Sequence, residues 1–505
     1  MPVLLTTDVL IFLLFALAVG FGVYAARHEH LRAPWRSVVR SPVGVAALVV
    51  ICFYVGIGLL DSLHFHPRIE PPSVIAAAAD AGGTGEEAAP TARYSTQVLS
   101  VLDLWLTGLR ERQEKTFSAP FATHLFVKEA IEQPDGSVLR AYPRLAHGGA
   151  HLADPAQRNR DVMLRGLLGL VKGLMAWTVL AVLLVGLLAW RRGESFSAVG
   201  EALWHGRLSA HTAGDGRSDD PSDMGSEGAP GDGIPWRVAL LTLGLMLVLC
   251  FIAAELAATY HILGTDKVGE DVFYQSLKSI RTGLVIGTLT TLVMLPAAVI
   301  LGIMAGYFRG LTDDIIQYLY TTLSSIPGVL LIAAAILMLQ VYMTNNAEQF
   351  DSLVQRADLR LLFLCLILGV TSWTGLCRLL RGESLKLRSA DYVQAATALG
   401  VRNSTIIGRH ILPNVLHIVM ITVVLDFSGL VLAEAVLSYV NIGVDPTMNS
   451  WGNMINSARL ELARDPIVWW SLAAAFVFMF TLVLAANLFA DVVRDAFDPR
   501  LRSAR

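Results

Sequence analysis

The sequence predicts an all-α polytopic membrane protein, and three observations carry that reading. Hydrophobic residues make up 54% of the 505, against only 16% charged, a balance suited to a bilayer rather than to water. Apolar runs of spanning length recur along the chain, about nine in all, at 7–26, 43–60, 166–190, 238–260, 284–307, 316–341, 361–380, 415–437 and 468–490. If these alternate, the basic segments at 27–40, 191–192, 381–409 and 494–505 all face one side, which the positive-inside rule makes the cytoplasm.

The run 7–26 reads as a retained span with a short external N-terminus, because its basic residues (Arg27, Arg32, Arg36, Arg40) follow it instead of preceding it. After the span 43–60, residues 61–165 should lie outside. There, 76–91 has a flexible-linker composition, and 94–114 has helical spacing, with Val98, Val101, Leu102, Trp105, Leu106 and Leu109 on one side. Asp135-Gly136 suggests a hairpin turn. Whether this is a small external domain or a packed loop stays open. His64 and His66 are read as incidental, since two histidines without further ligands do not make a metal site. Residues 166–260 form two spans around a Gly-, Asp-, Ser- and Pro-rich stretch, 207–235, expected to be a disordered cytoplasmic linker. Glu255, near the outer end of its span, is read as an interfacial carboxylate and not a substrate ligand. Pro327 falls inside the run 316–341 and should kink it.

The composition also excludes function classes. Near-neutral net charge (−3) offers nothing to nucleic acid. The four cysteines, Cys52, Cys250, Cys365 and Cys377, lie in or beside apolar runs without CxxC spacing and read as core packing. No GxxxxGK[ST], HExxH or GxSxG stretch occurs. The chain is therefore not expected to be an enzyme by itself, and any ATP hydrolysis belongs to another polypeptide.

One polar stretch, 381–414, interrupts the apolar runs and reads as two short helices hinged at a glycine. Tyr392, Ala395, Ala396 and Leu399 share a face by spacing, Ser389 is a candidate cap, and Gly400 is a helix stop. Asn403 is placed to cap a second helix, 404–412, which Pro413 should end before the next span. A helix pair with one small-residue face suits docking to a soluble partner.

This stretch resembles the cytoplasmic EAA loop of ABC-importer permeases: Gln394-Ala395-Ala396 stands for the opening triplet, followed by Gly400 and by Leu412-Pro413. The segment 409–414, RHILPN, is similar to the dipeptide, oligopeptide and nickel branch. Further resemblances run from 263 to 502. They comprise Leu263-Gly264-Thr265-Asp266 with Gly269 and Asp271, Ala305 to Phe308 with Asp313-Asp314, and Ser325 to Gly328. Ser438 to Gly443, Ser450 to Gly452, Asn487-Leu488 and Arg494 to Arg500 complete the set. The chain departs from the family at Gln394, where glutamate is usual, and at Glu270, where arginine is usual. The resemblance implies a type I permease core in a bacterial inner membrane, with 381–414 as the loop that couples to ATPase subunits. It implies no cofactor on this chain, with ATP and Mg on two partner ATPases. A second permease subunit, an external substrate-binding protein and membrane lipid are the other partners implied.

The organisation expected is 1–60, N-terminal spans; 61–165, external region; 166–260, inserted hairpin; and 261–505, permease core. The first core helix is either 43–60, with a hairpin inserted after it, or 238–260; Trp35 to Pro42 favours the former. Asp426 lies mid-span, where a carboxylate costs about 2.5–3.5 kcal/mol. It is a candidate for the translocation path, contacting a cationic group in transit, or else a helix-packing hydrogen bond. Glu434 matches a family glutamate and reads as structural. Peptides are the expected cargo, with nickel or another small solute as the alternative. The alternative of another class is a stand-alone secondary transporter, which would want several intramembrane charges and an inverted repeat; the sequence offers one clear mid-membrane carboxylate and no repeat.

Overall fold

The computed structural model describes residues 2–27, 29–68, 95, 97–132, 138–204, 235–346 and 352–497. The expected linker 76–91, the Asp135-Gly136 turn, residues 207–234 of the second linker and Asp498-Pro499-Arg500 lie outside them. Among the described residues nine helices are long and apolar enough to cross a membrane.

The chain begins with β1 (Pro2–Val3) and α1 (Thr6–Arg27), then α2 (Glu29–Arg40) and α3 (Pro42–Asp61). Ser41 starts α3 by accepting a hydrogen bond from the Gly44 N–H, with Pro42 in the first turn, where its missing donor costs nothing. β2 (His64–Phe65) pairs antiparallel with both β1 and β3 (Leu99–Ser100). The N-terminus and the external region thus share one small sheet, which puts both on the same side of the membrane.

The segment expected to be one helix over 94–114 is two short ones, α4 (Val101–Trp105) and α5 (Thr107–Arg110). Leu102 and Leu109 are buried, but Trp105 is 74% exposed, so the expected apolar face is split. β4 (Glu129–Glu132) and β5 (Val138–Ala141) form an antiparallel pair. α6 (Arg158–Arg192) and α8 (Trp236–Ala257) make the hairpin, with α7 (Phe196–Trp204) beside its basic end. Gly169 and Gly173 let α6 approach the backbone of α8 at Ile252 and Val248, and Trp177 covers Gly244.

The core is built on α9 (Val272–Phe308) and α12 (Leu353–Arg388), which pack along each other. Gly302 and Gly306 lie against the α12 backbone at Cys377 and Arg381, and Gly369 lies against Val293. Asp271 caps α9, accepting from the N–H groups of Phe273 and Tyr274 at 2.8 and 3.1 Å. α15 (Leu412–Tyr439) and α17 (Trp470–Phe497) complete this layer, and α16 (Trp451–Glu461) lies outside the membrane between them. α3 packs on both α9 and α17, and its Tyr54 hydroxyl donates to the Phe478 carbonyl at 3.0 Å. The hairpin meets the core helices principally through α3.

The run 316–341 is not a kinked single helix. It is divided into α10 (Leu311–Ser325) and α11 (Gly328–Asn345), with Ile326 extended at the junction. The residue before a proline is pushed out of the helical region, and Pro327 supplies no N–H, so the helix stops and restarts.

Candidate functional site

The stretch 381–414 folds as α13 (Asp391–Ala398), α14 (Asn403–Ile406) and a π-helical segment, Ile407–Ile411, that runs into α15. Gly400 ends α13 at φ 73°. Its N–H donates to Thr397 O at 3.0 Å and the Val401 N–H to Ala396 O at 3.1 Å, the paired bonds of a Schellman stop.

Three local expectations are corrected here. Ser389 does not cap α13: it is the C-cap of α12, and its hydroxyl donates to Lys386 O. Asn403 does not cap the second helix, because its Oδ1 accepts from the Tyr307 hydroxyl at 2.9 Å. Pro413 does not end that helix. It sits in the first turn of α15, and the π segment before it absorbs the lost N–H, so 403–439 is one continuous rod.

Tyr392, Gln394, Ala395 and Leu399 are exposed, Leu399 by 83%. Ala396 is not on that face: it is half-buried and packs with Val393 against the core cluster holding Trp373, Leu380 and Ile411. The face presented outward is therefore Tyr392, Ala395 and Leu399, while Ala396 seats the helix from behind. Leu412 is at the edge of exposure, and Asn414 Nδ2 donates to the Tyr392 hydroxyl at 3.3 Å, tying the first turn of α15 to α13. Arg381, at the cytoplasmic end of α12, clasps Asp313 of α10 through two nitrogens at 2.6 and 2.7 Å. That clasp holds the Asp313 carboxyl below the usual carboxylate range.

In the membrane, Asp426 is half-buried on α15 and makes no hydrogen bond or ion pair among the described residues. Beside it Leu425, Gly429, Leu432 and Val436 form an exposed stripe on one face of the helix. Glu434 is 2% exposed, accepts from the Ser438 hydroxyl at 2.7 Å, and lies against Gly452 at the start of α16. It ties the outer end of α15 to α16. Glu255 pairs with Lys172 across the hairpin.

On the outer face the Leu263–Asp271 turn is clasped by the external region. Glu114 accepts from the N–H groups of Ala146, His147 and Gly148 at 2.9, 2.8 and 3.0 Å. His261 Nδ1 lies 2.7 Å from Asp271, and its Nε2 lies 3.4 Å from Glu114, an ion-pair distance and not a well-formed hydrogen bond. Burial opposes charge on Glu114 and on His261. The paired groups outweigh it, holding Glu114 down at about 2 and His261 up at about 9. Glu270 accepts from Gln275 at 2.9 Å.

Sequence reasoning missed a second buried network. Arg281 on α9 donates to Asp8 on α1 at 2.6 Å, His64 Nδ1 lies 2.8 Å from Asp8, and Thr6 donates to Asp358 at 2.7 Å. The available signal was a carboxylate inside the first apolar run, with an arginine at the head of a later one.

The structure defines a helical membrane protein with a broken span, a cytoplasmic helix pair joined to the core, and a clasped outer loop. Residues 298–503 match the family model described as binding-protein-dependent transport system inner membrane component. The glutathione transport system permease of Pectobacterium atrosepticum is 31% identical over 245 residues, 48% of this chain and 74% of that protein. The oligopeptide permease of Haemophilus influenzae is 31% identical over 251 residues, covering 50% and 74%. The dipeptide permease of Bacillus subtilis is 29% identical over 242 residues, covering 48% and 69%. The chain belongs to this family of ABC-importer inner-membrane permeases, and it is a multi-pass protein of the bacterial inner membrane.

Proposed function

We propose that this chain is the permease subunit of an ATP-driven peptide importer, worked by separate ATPase subunits that dock on Tyr392, Ala395 and Leu399. The observation that carries the reading is the exposed α13 face, backed by Ala396 and Gly400 and joined through Asn403 to a rod that continues across the membrane. Peptide is favoured as cargo because relatives that match about 48–50% of the chain are named for oligopeptides, dipeptides and glutathione. A second permease subunit covers the stripe Leu425, Gly429, Leu432 and Val436, and an external binding protein delivers the cargo. Asp426, beside that stripe, meets cationic groups in transit. In this reading α3 is the first core helix, since it packs on α9 and α17 while α8 packs on α6 and α3.

The test is Ala395→Trp, which enlarges the outward face without touching the inner seat. The variant should reach the membrane in normal amount, with uptake lost and ATP hydrolysis no longer answering to cargo. Normal, cargo-stimulated uptake by this variant removes the docking role. The same change at Ala396 disturbs the seat as well, so it tests folding and docking together.

A further inference from the structure

Behind the coupling helix lies a cavity of about 670 Å³, at the cytoplasmic boundary between the end of α9 and the stretch 388–403. Arg309 and Arg388 line it, with Tyr307, Gln394, Thr397 and Asn403, and no carboxylate does. Two arginines nearby are engaged: Arg381 holds Asp313, and Arg378 lies over the Tyr320 ring at 5.5 Å. Arg309 and Arg388 form no ion pair among the described residues. Asp313, whose charge Arg309 feels, is already clasped by Arg381.

Two independent details point the same way. Arg309 adopts φ 61°, a left-handed conformation costly for a side-chain-bearing residue, right where the cavity begins. The Asn403 amide oxygen is held by the Tyr307 hydroxyl, which leaves its NH₂ without a partner among the described residues. Two unpaired guanidinium groups and a free amide donor around one space make a receptor for a phosphate-type anion, which guanidinium binds by paired N–H donors.

We propose that this cavity is an anion site for a phosphate group, carried either by an acidic phospholipid headgroup or by a soluble phosphate. Phe308 and Leu311, exposed by 41% and 80% beside Arg309, offer an apolar flank for acyl chains. The occupant touches the end of a core helix on one side and Asn403 on the other, so it sets how firmly the coupling segment is seated. This inference goes beyond the importer reading and is tested without transport.

The full chain is placed in phosphatidylcholine nanodiscs with and without phosphatidylglycerol, and phosphatidylcholine discs are separately titrated with inorganic phosphate. The readout is the thermal unfolding midpoint. A saturable rise with phosphatidylglycerol alone assigns the site to lipid; a rise with inorganic phosphate assigns it to soluble phosphate. In the Arg309→Gln, Arg388→Gln double variant the half-maximal concentration rises by about tenfold, one decade of affinity. Arg191→Gln, Arg192→Gln responds as the native chain does. Asn403→Asp, which keeps an acceptor for Tyr307 but adds a negative charge, loses the response even if the double variant fails to fold. No saturable shift with either probe, or an equal shift in native and cavity variants, overturns the proposal.

Discussion

The helix pair α9–α12 and the hairpin α6–α8 use the same packing device in different settings. Each pair closes over glycines four residues apart, Gly302 and Gly306 in one and Gly169 and Gly173 in the other. Yet half of the most apolar stretch is buried in α9 and in α12, against 11% in α6 and in α8. Small residues alone therefore do not make a core. In lipid, close approach gives dispersion contacts to any two helices, and what sets the core apart is that further helices bury its remaining faces. Among the described residues the hairpin packs chiefly on itself and on α3, whereas α9 and α12 are each packed by several further helices.

The largest expected effect falls on the joint between these regions, the segment joining α8 to α9. His261→Phe leaves Glu114 and Asp271 buried without their cation, and breaking a buried pair costs about 3–5 kcal/mol. Limited proteolysis should then cut near 258–271, while the hairpin stays closed. The native clasp is also pH-dependent. The His261 contribution, with a pKa raised from 6.5 to about 9, is complete below 6.5 and lost as pH rises through 9. The Glu114 contribution, lowered from 4.5 to about 2, is complete above 4.5 and lost as pH falls through 2. Protection of this loop in hydrogen exchange should be flat between those inner limits; steady loosening from pH 4.5 to 6.5 would contradict the pairing.

Next comes a matched pair of glycine changes. A Cβ at Gly306 would sit 2.6 Å from the Arg381 carbonyl, and at Gly173 it would sit 2.7 Å from the Val248 Cα. Overpacking costs about 1–3 kcal/mol at either site. Gly306→Leu should abolish uptake, whereas Gly173→Leu should part the hairpin and leave uptake near native. Equal loss would show that the hairpin belongs to the working core.

A smaller effect is expected at Asp426→Asn. Uptake of cationic peptides should fall by about tenfold, in line with a lost hydrogen bond to a charged group, while neutral peptides continue; equal rates for both classes remove its role. Smallest is Lys172→Gln, which opens an exposed interhelical pair and should change hairpin stability by at most about 1 kcal/mol, read as a shift in its unfolding midpoint.

What was legible in the sequence follows the range of the forces. Gly400 was readable because a left-handed stop is a property of one residue and its neighbours. The spans were readable because bilayer thickness sets a length. The caps at Ser389 and Asn403 were misread because each side chain had a better offer, one from its own helix and one from Tyr307, 96 positions away. The inward turn of Ala396 was hidden because spacing gives a face but not which side is already occupied. The network of Asp8, Arg281 and Asp358 was out of reach for the same reason: its partners lie on three separate helices.

The π segment before Pro413 has a mechanical meaning. Because it lets 403–439 run without interruption over 37 residues, about 55 Å at 1.5 Å per residue, Asn403 and Glu434 ride on the same lever. If ATPase subunits push on α13 as proposed, the displacement at Asn403 would reach Glu434 as tilt of a single helix, passing only the π segment at Ile407–Ile411.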